Sequence, residues 1–185
     1  MNTSSAKNSR AFTLVETLVA IAILMISISG PLAIANKALV ASLYAKDQST
    51  ASFLAQEEME VIKNIKDNNV AENGGTSPNS NWLNNGLSTS CNKLNPCEFS
   101  ISSAGLPSNS SLCSSNCLLY ADNTSYNNSS SGNPTIFSRF FYLTGSGCVS
   151  SSSGSECQAT VVVTWYEGTV QNAVTMQSEL LNVAP

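Results

Sequence analysis

The hydrophobic pattern divides the chain into stretches of different period. From Phe12 to Ala35 the residues are continuously apolar or small, and Glu16 is the only charge among them. At about 1.5 Å per residue a helix over this run reaches roughly 36 Å, enough to cross a hydrocarbon core of about 30 Å with some tilt. Gly30-Pro31 lies inside the run and predicts a kink or local loosening, because Pro31 has no N–H for the helical ladder. Lys7 and Arg10 precede the run. Basic residues stay on the cytoplasmic side, so the segment after Ala35 is expected outside.

From Asn36 to about Asn68 the period changes to that of an amphipathic helix, with neither Gly nor Pro. Ala51, Leu54, Ala55, Ile62 and Ile65 recur at helical spacing and mark one apolar stripe, which Glu58 interrupts. Lys46, Glu57, Glu60, Lys63 and Asp67 mark the opposite face, with Glu60–Lys63 and Lys63–Asp67 at helix-neighbour spacing. The pattern therefore predicts one helix of about 55 residues, its outer half laying the stripe on a sheet. A coiled-coil stalk is the alternative, but the heptads do not hold.

Gly74, Gly75 and Pro78 end the helix and open a Ser/Asn/Gly-rich region through Pro134. One short strand is expected there, near Phe99–Ser102, and Trp82-Leu83 and Leu118-Leu119-Tyr120 punctuate it. After Pro134 the period is two. Phe137–Leu143 is aromatic-rich, and Ala159–Tyr166 places Val161, Val163 and Trp165 on one face. Glu167-Gly168 reads as a tight turn, after which Val170, Val174, Met176 and Leu180 share the even-numbered face of a third strand. The fold class is therefore α+β: a long N-terminal helix packed on a small C-terminal antiparallel sheet. The expected divisions are residues 1–11, 12–35, 36–70 and 71–185.

The 185 residues include 12 acidic and 8 basic ones, for a net charge of −4. Only 11% are charged and 42% are hydrophobic, which fits a membrane segment joined to a folded domain better than disorder. Histidine is absent, which removes the commonest general base and the commonest metal ligand. The cysteines, Cys91, Cys97, Cys113, Cys117, Cys148 and Cys157, lie in Ser/Asn/Gly-rich stretches and argue for disulfides formed outside the cytoplasm. Pairing of sequence neighbours (91–97, 113–117, 148–157) is favoured because each pair brackets a short turn-like stretch. A Cys₄ zinc site is the competing reading, and the intervening spacings do not match short zinc knuckles.

A lone charge within hydrocarbon is expensive, roughly 2.5–3.5 kcal/mol at the helix centre on insertion scales, so Glu16 near the start of the run calls for a partner. No basic side chain lies in the run. The nearest cation would be a new α-amino group, created if the chain were cut before Phe12. Residues Arg10–Leu24, RAFTLVETLVAIAIL, resemble the type IV prepilin N-terminus in this arrangement. The resemblance implies that a prepilin peptidase removes the leader MNTSSAKNSRA, cutting between Ala11 and Phe12, and that Phe12 becomes N-methylated. It also implies that Glu16 guides filament assembly. Ala11 stands where the family usually has Gly. Removal of Lys7 and Arg10 would leave 12 acidic against 6 basic side chains. The segment FLAQEEMEVIKNIKDNN resembles the stretch after the anchor in minor pilins of the V type and minor pseudopilins of the I type. A pilin-like fold also places a variable segment between helix and sheet.

The sequence contains no nucleophile–His–acid set, Walker loop, dinucleotide turn or HExxH, so no enzyme activity and no cofactor are expected. Asp122-Asn123 is too sparse for a calcium loop. Beyond Lys66 the basic residues are Lys93 and Arg139 only, which argues against direct nucleic-acid binding. The glycosylation patterns at Asn109, Asn123, Asn127 and Asn128 are expected by chance in so Asn/Ser-rich a chain. What the resemblance implies is a minor pilin or pseudopilin, a structural or assembly-priming subunit of a type IV pilus or type II secretion-like filament. Its expected partners are the prepilin peptidase/N-methyltransferase, other pilin or pseudopilin subunits, an inner-membrane assembly platform and the membrane itself. A filament-tip adhesin on the same scaffold is the alternative.

Overall fold

A computed structural model describes residues 13–72, 82, 83, 86, 87, 90–101, 107–113, 116–122, 125–128, 130, 132–148 and 156–182. The leader, the expected cut between Ala11 and Phe12, and Gly74, Gly75 and Pro78 lie outside these. The chain divides into two compact units, Met1–Ala45 and Lys46–Pro185, and the division falls inside one long helix, α1 (Leu14–Glu72).

In the first unit every described residue is exposed. Its leucines, isoleucines and valines present an apolar surface, and the best window has a mean hydropathy of 2.4 with nothing buried inside the protein. This helix is long and apolar enough to cross a membrane. Pro31 sits within α1 and does not end it. The hydroxyls are satisfied locally: Thr17 donates to the Leu14 carbonyl (2.8 Å), Ser27 to that of Leu24 (2.9 Å) and Ser29 to that of Ile26 (2.9 Å). In hydrocarbon such back-bonding removes the cost of an unpaired polar group.

In the second unit the apolar stripe of α1 forms one wall of the core. Ala51, Leu54, Ala55, Met59, Ile62 and Val70 are buried, and Ile65 packs at the margin. Good helix formers and the absence of Gly and Pro keep this stretch helical. Lys63 pairs with Glu60 at 3.2 Å. Asp67 takes Lys66 at 2.5 Å instead of the expected Lys63. Glu60, Lys63 and Asp67 are all well exposed, so these pairs contribute little.

Facing the stripe is a seven-stranded antiparallel sheet. Its strands are β1 (Cys97–Ile101), β2 (Pro107–Leu112), β3 (Leu118–Ala121), β4 (Tyr126–Asn127), β5 (Asn133–Thr144), β6 (Glu156–Glu167) and β7 (Val170–Leu181). β5 pairs with β6 on one edge, and β7 lies beyond β6. The other edge of β5 is shared by β1, near Phe141, and by β3, between Asn133 and Ser138. β2 pairs with β1, and β4 with β3. Among the described residues the Ser/Asn-rich region thus supplies four strands where one was expected. β2 is mostly Ser and Asn, with weak strand propensity, and β3 and β4 are only four and two residues long, so pairing to β1, β3 and β5 is what holds them extended.

The long strands follow their alternation. Phe137, Phe141 and Leu143 of β5 and Ala159, Val161, Val163 and Trp165 of β6 are buried. Phe99 stacks on Phe141 with ring centroids 4.8 Å apart. Trp82, Leu83 and Leu87 close the core from the segment after α1, and Asn69 donates to the Trp82 carbonyl at 3.2 Å. On β7 the even-numbered face is only partly covered: Leu180 is buried, Val174 and Met176 are half-buried, and Val170 is 60% exposed. The β6–β7 turn is Gly168-Thr169, one residue later than expected, with Gly168 at φ +62°. Gly at the first central position is what a type II′ hairpin turn requires.

Candidate functional site

Glu16 occupies the first turn of α1, where its peptide N–H is 3.4 Å from the Thr13 hydroxyl and 3.0 Å from the Thr13 carbonyl. Thr13 is therefore the cap, and Thr13-Leu14-Val15-Glu16 has the S/T-x-x-E spacing of a capping box. A carboxylate here also faces the positive end of the helix dipole. Among the described residues no cation pairs with Glu16. Its surroundings on α1 are exposed and apolar, so nothing within the described chain competes for its charge.

The six cysteines form three bridges, Cys91–Cys97, Cys113–Cys117 and Cys148–Cys157, with Cα–Cα distances of 5.3, 5.3 and 5.1 Å. Cys91–Cys97 brackets a tight turn closed by mutual backbone bonds of Asn92 and Asn95 (3.1 and 3.0 Å) and joins it to the start of β1. Cys148–Cys157 ties the 3₁₀ turn Ser146–Cys148 to the start of β6. Gly147 is needed there because a side chain would collide with the Glu156 carbonyl. Cys113–Cys117 closes the short link between β2 and β3. Glu98 lies near this last bridge, but sulfurs held in a disulfide offer no thiolate to a metal.

Sequence reasoning missed the strongest polar feature of the second unit. Glu58 breaks the apolar stripe of α1, and Arg139 occupies an inward position of β5 between Phe137 and Phe141. Each looks like an error in its own pattern, and together they are one ion pair. Arg139 Nε lies 3.0 Å from Glu58 Oε2, and both side chains are 2% exposed. Arg139 Nη1 lies 2.8 Å from Glu57 Oε2 and donates to the Leu54 carbonyl at 3.3 Å. Burial pushes the Glu58 carboxyl up to about 7, against the opposing pull of Arg139. Burial also raises the Glu98 carboxyl, partly offset by the amide of Asn128. The available signal was the coincidence of two opposite charges, each on a buried face. This cluster fastens α1 to β5, and Arg139 is thereby removed from any nucleic-acid surface.

No significant match was found among curated proteins or among solved structures. The family model for the prokaryotic N-terminal methylation motif matches residues 6–30. That stretch contains Ala11 and Phe12, the capped first turn with Glu16, and the start of the exposed apolar helix. The chain therefore carries the prepilin-type signal of type IV pilins and pseudopilins, ahead of a membrane-length helix and an antiparallel sheet.

Proposed function

We propose that this chain is a minor pilin or pseudopilin, a structural or assembly-priming subunit of a type IV pilus or type II secretion-like filament. The observation that carries the reading is the methylation motif at residues 6–30 running directly into a fully exposed apolar helix whose one acidic residue, Glu16, has no cation among the described residues. On this reading residues 1–11 form a cytoplasmic leader. A prepilin peptidase cuts between Ala11 and Phe12 and methylates the new Phe12 amine, which stays cationic. Residues 12–35 hold the subunit in the inner membrane, and the remainder is exported. During assembly on an inner-membrane platform, the Phe12 ammonium of one subunit neutralises Glu16 of its neighbour. In a low dielectric that pairing penalises any stagger that leaves the carboxylate alone.

Two measurements test this. The N-terminal mass of the mature protein should correspond to a chain beginning at methylated Phe12; recovery of intact Met1, or of a cut beyond Ala35, overturns it. Glu16→Gln keeps the shape of the first turn but removes the charge, so it separates helix capping from assembly. Glu16→Gln and Glu16→Ala subunits should both be cleaved, inserted and then under-represented in filaments. Normal incorporation of Glu16→Gln would leave Glu16 as a cap only.

A second reading, a filament-tip adhesin, is supported by the Cys113–Cys117 bridge. It holds the exposed Asn116 beside Cys117, both in left-handed backbone (φ 57° and 50°), a conformation concentrated at binding loops. Deleting Cys91–Cys117 with filament number preserved and attachment lost favours adhesion. Loss of the filaments themselves favours assembly.

A further inference from the structure

β7 pairs with β6 along its whole length, from Glu156↔Leu181 to Glu167↔Val170, with no register shift. No described strand pairs with its other edge. An unpaired edge is a template for another chain, and proteins usually blunt it with Lys, Pro or a bulge. β7, VQNAVTMQSELL, has no Pro, no Lys and no Arg, and its one charge is Glu179. Its core-side row is also incompletely covered, since Val174 and Met176 pack on the core while only half-buried and Val170 is 60% exposed.

We propose that β7 is a self-complementary edge through which two copies of this chain pair. The occupant follows from the residues. When β7 is laid antiparallel against itself about Thr175, Val170 comes opposite Leu180, Asn172 opposite Ser178, and Val174 opposite Met176 on the core side. On the outer side Gln171 comes opposite Glu179, Ala173 opposite Gln177, and Thr175 opposite its own copy. On the core side apolar meets apolar and polar meets polar, on the outer side only Ala173 meets a polar partner, and no like charges face each other. A slip of one residue would set the core-side row against the outer row, so the pattern selects the register. The pair would continue the sheet from one copy into the next and cover Val170, Val174 and Met176. This pairing needs only the second unit and does not rest on the filament reading.

The test uses the full-length protein in its membrane. All the cysteines are in disulfides, so Thr175→Cys, Ala173→Cys and Gln177→Cys each introduce one free thiol on the same exposed face. Under copper-phenanthroline oxidation Thr175→Cys should give a covalent homodimer at least about 10-fold faster than the other two, because only residue 175 meets itself. In sedimentation of the wild-type protein in detergent, a concentration-dependent dimer should appear. The Thr175→Lys/Gln177→Lys protein, whose lysines face each other or the partner's edge, should shift its dissociation constant by at least about 10-fold. A monomeric wild type, equal cross-linking at the three positions, or a Thr175→Cys adduct with a different protein would each overturn the proposal.

Discussion

Replacing Arg139 by Met is the sharpest perturbation of the second unit. Arg139 is 2% exposed and supplies the cation for Glu58, which is equally buried, and for the half-exposed Glu57, as well as a donor for the Leu54 carbonyl. Removing one partner of a buried pair leaves an uncompensated charge and typically costs about 3–5 kcal/mol. Glu58 offers an escape, because a carboxyl already raised to about 7 by burial can take up a proton. The cost should therefore depend on pH. At pH 8 we expect Arg139→Met to lose about 3–5 kcal/mol. At pH 5 Glu58 is neutral, and the loss should shrink to about 1–2 kcal/mol, the worth of the lost hydrogen bonds and packing. The double variant Arg139→Met/Glu58→Leu replaces the pair by apolar side chains and should recover to within about 1 kcal/mol of wild type at either pH. Trp82 and Trp165 are buried, so tryptophan fluorescence during urea denaturation of the detergent-solubilised protein, with disulfides intact, reports the transition. A loss below about 1 kcal/mol at pH 8, or one that does not shrink on acidification, would refute the reasoning.

Glu58 also sets a pH dependence in the wild-type protein. In the unfolded chain it releases its proton near 4.5, whereas in the folded chain it holds it to about 7, so its contribution is complete below 4.5 and is lost as pH rises through 7. The unfolding free energy should fall by about 3 kcal/mol across that window, with Glu98 adding in the same direction. Glu58→Gln should remove most of the slope, and an unchanged slope would show that Glu58 is not its source. Replacing Cys148 and Cys157 together by Ala opens a loop with a sequence separation of 9. Loop-closure entropy puts the loss at about 2–3 kcal/mol, read as a lower denaturation midpoint with the Trp165 signal of the folded state unchanged.

Part of the fold was legible because it is local. The Phe12–Ala35 run and the stripe Ala51, Leu54, Ala55 and Ile62 read as helix, and α1 spans Leu14–Glu72. The period-two stretches around Phe141, Val163 and Val174 read as strands and are β5, β6 and β7. Glu16 stood out by the cost of a charge beside hydrocarbon, and the motif match covers the same residues. The strands β2, β3 and β4 were not legible. β2 is mostly Ser and Asn, which carry little intrinsic strand preference, β3 and β4 are too short to show an alternation, and all three are extended because an existing edge pairs with them.

The residues by themselves determined which segments are apolar on one face, where a helix can run unbroken, and where the chain carries a processing signal. Each of these depends on neighbours within a few positions along the chain. Tertiary structure decided what became of Glu58 and Arg139, which are 81 positions apart. Each breaks its own apolar pattern, and only the packing of α1 on β5 brings Nε to 3.0 Å from Oε2. It also decided that Val170, Val174 and Met176 remain incompletely covered. Coverage depends on how far one helix reaches across a sheet, and no local pattern encodes that distance.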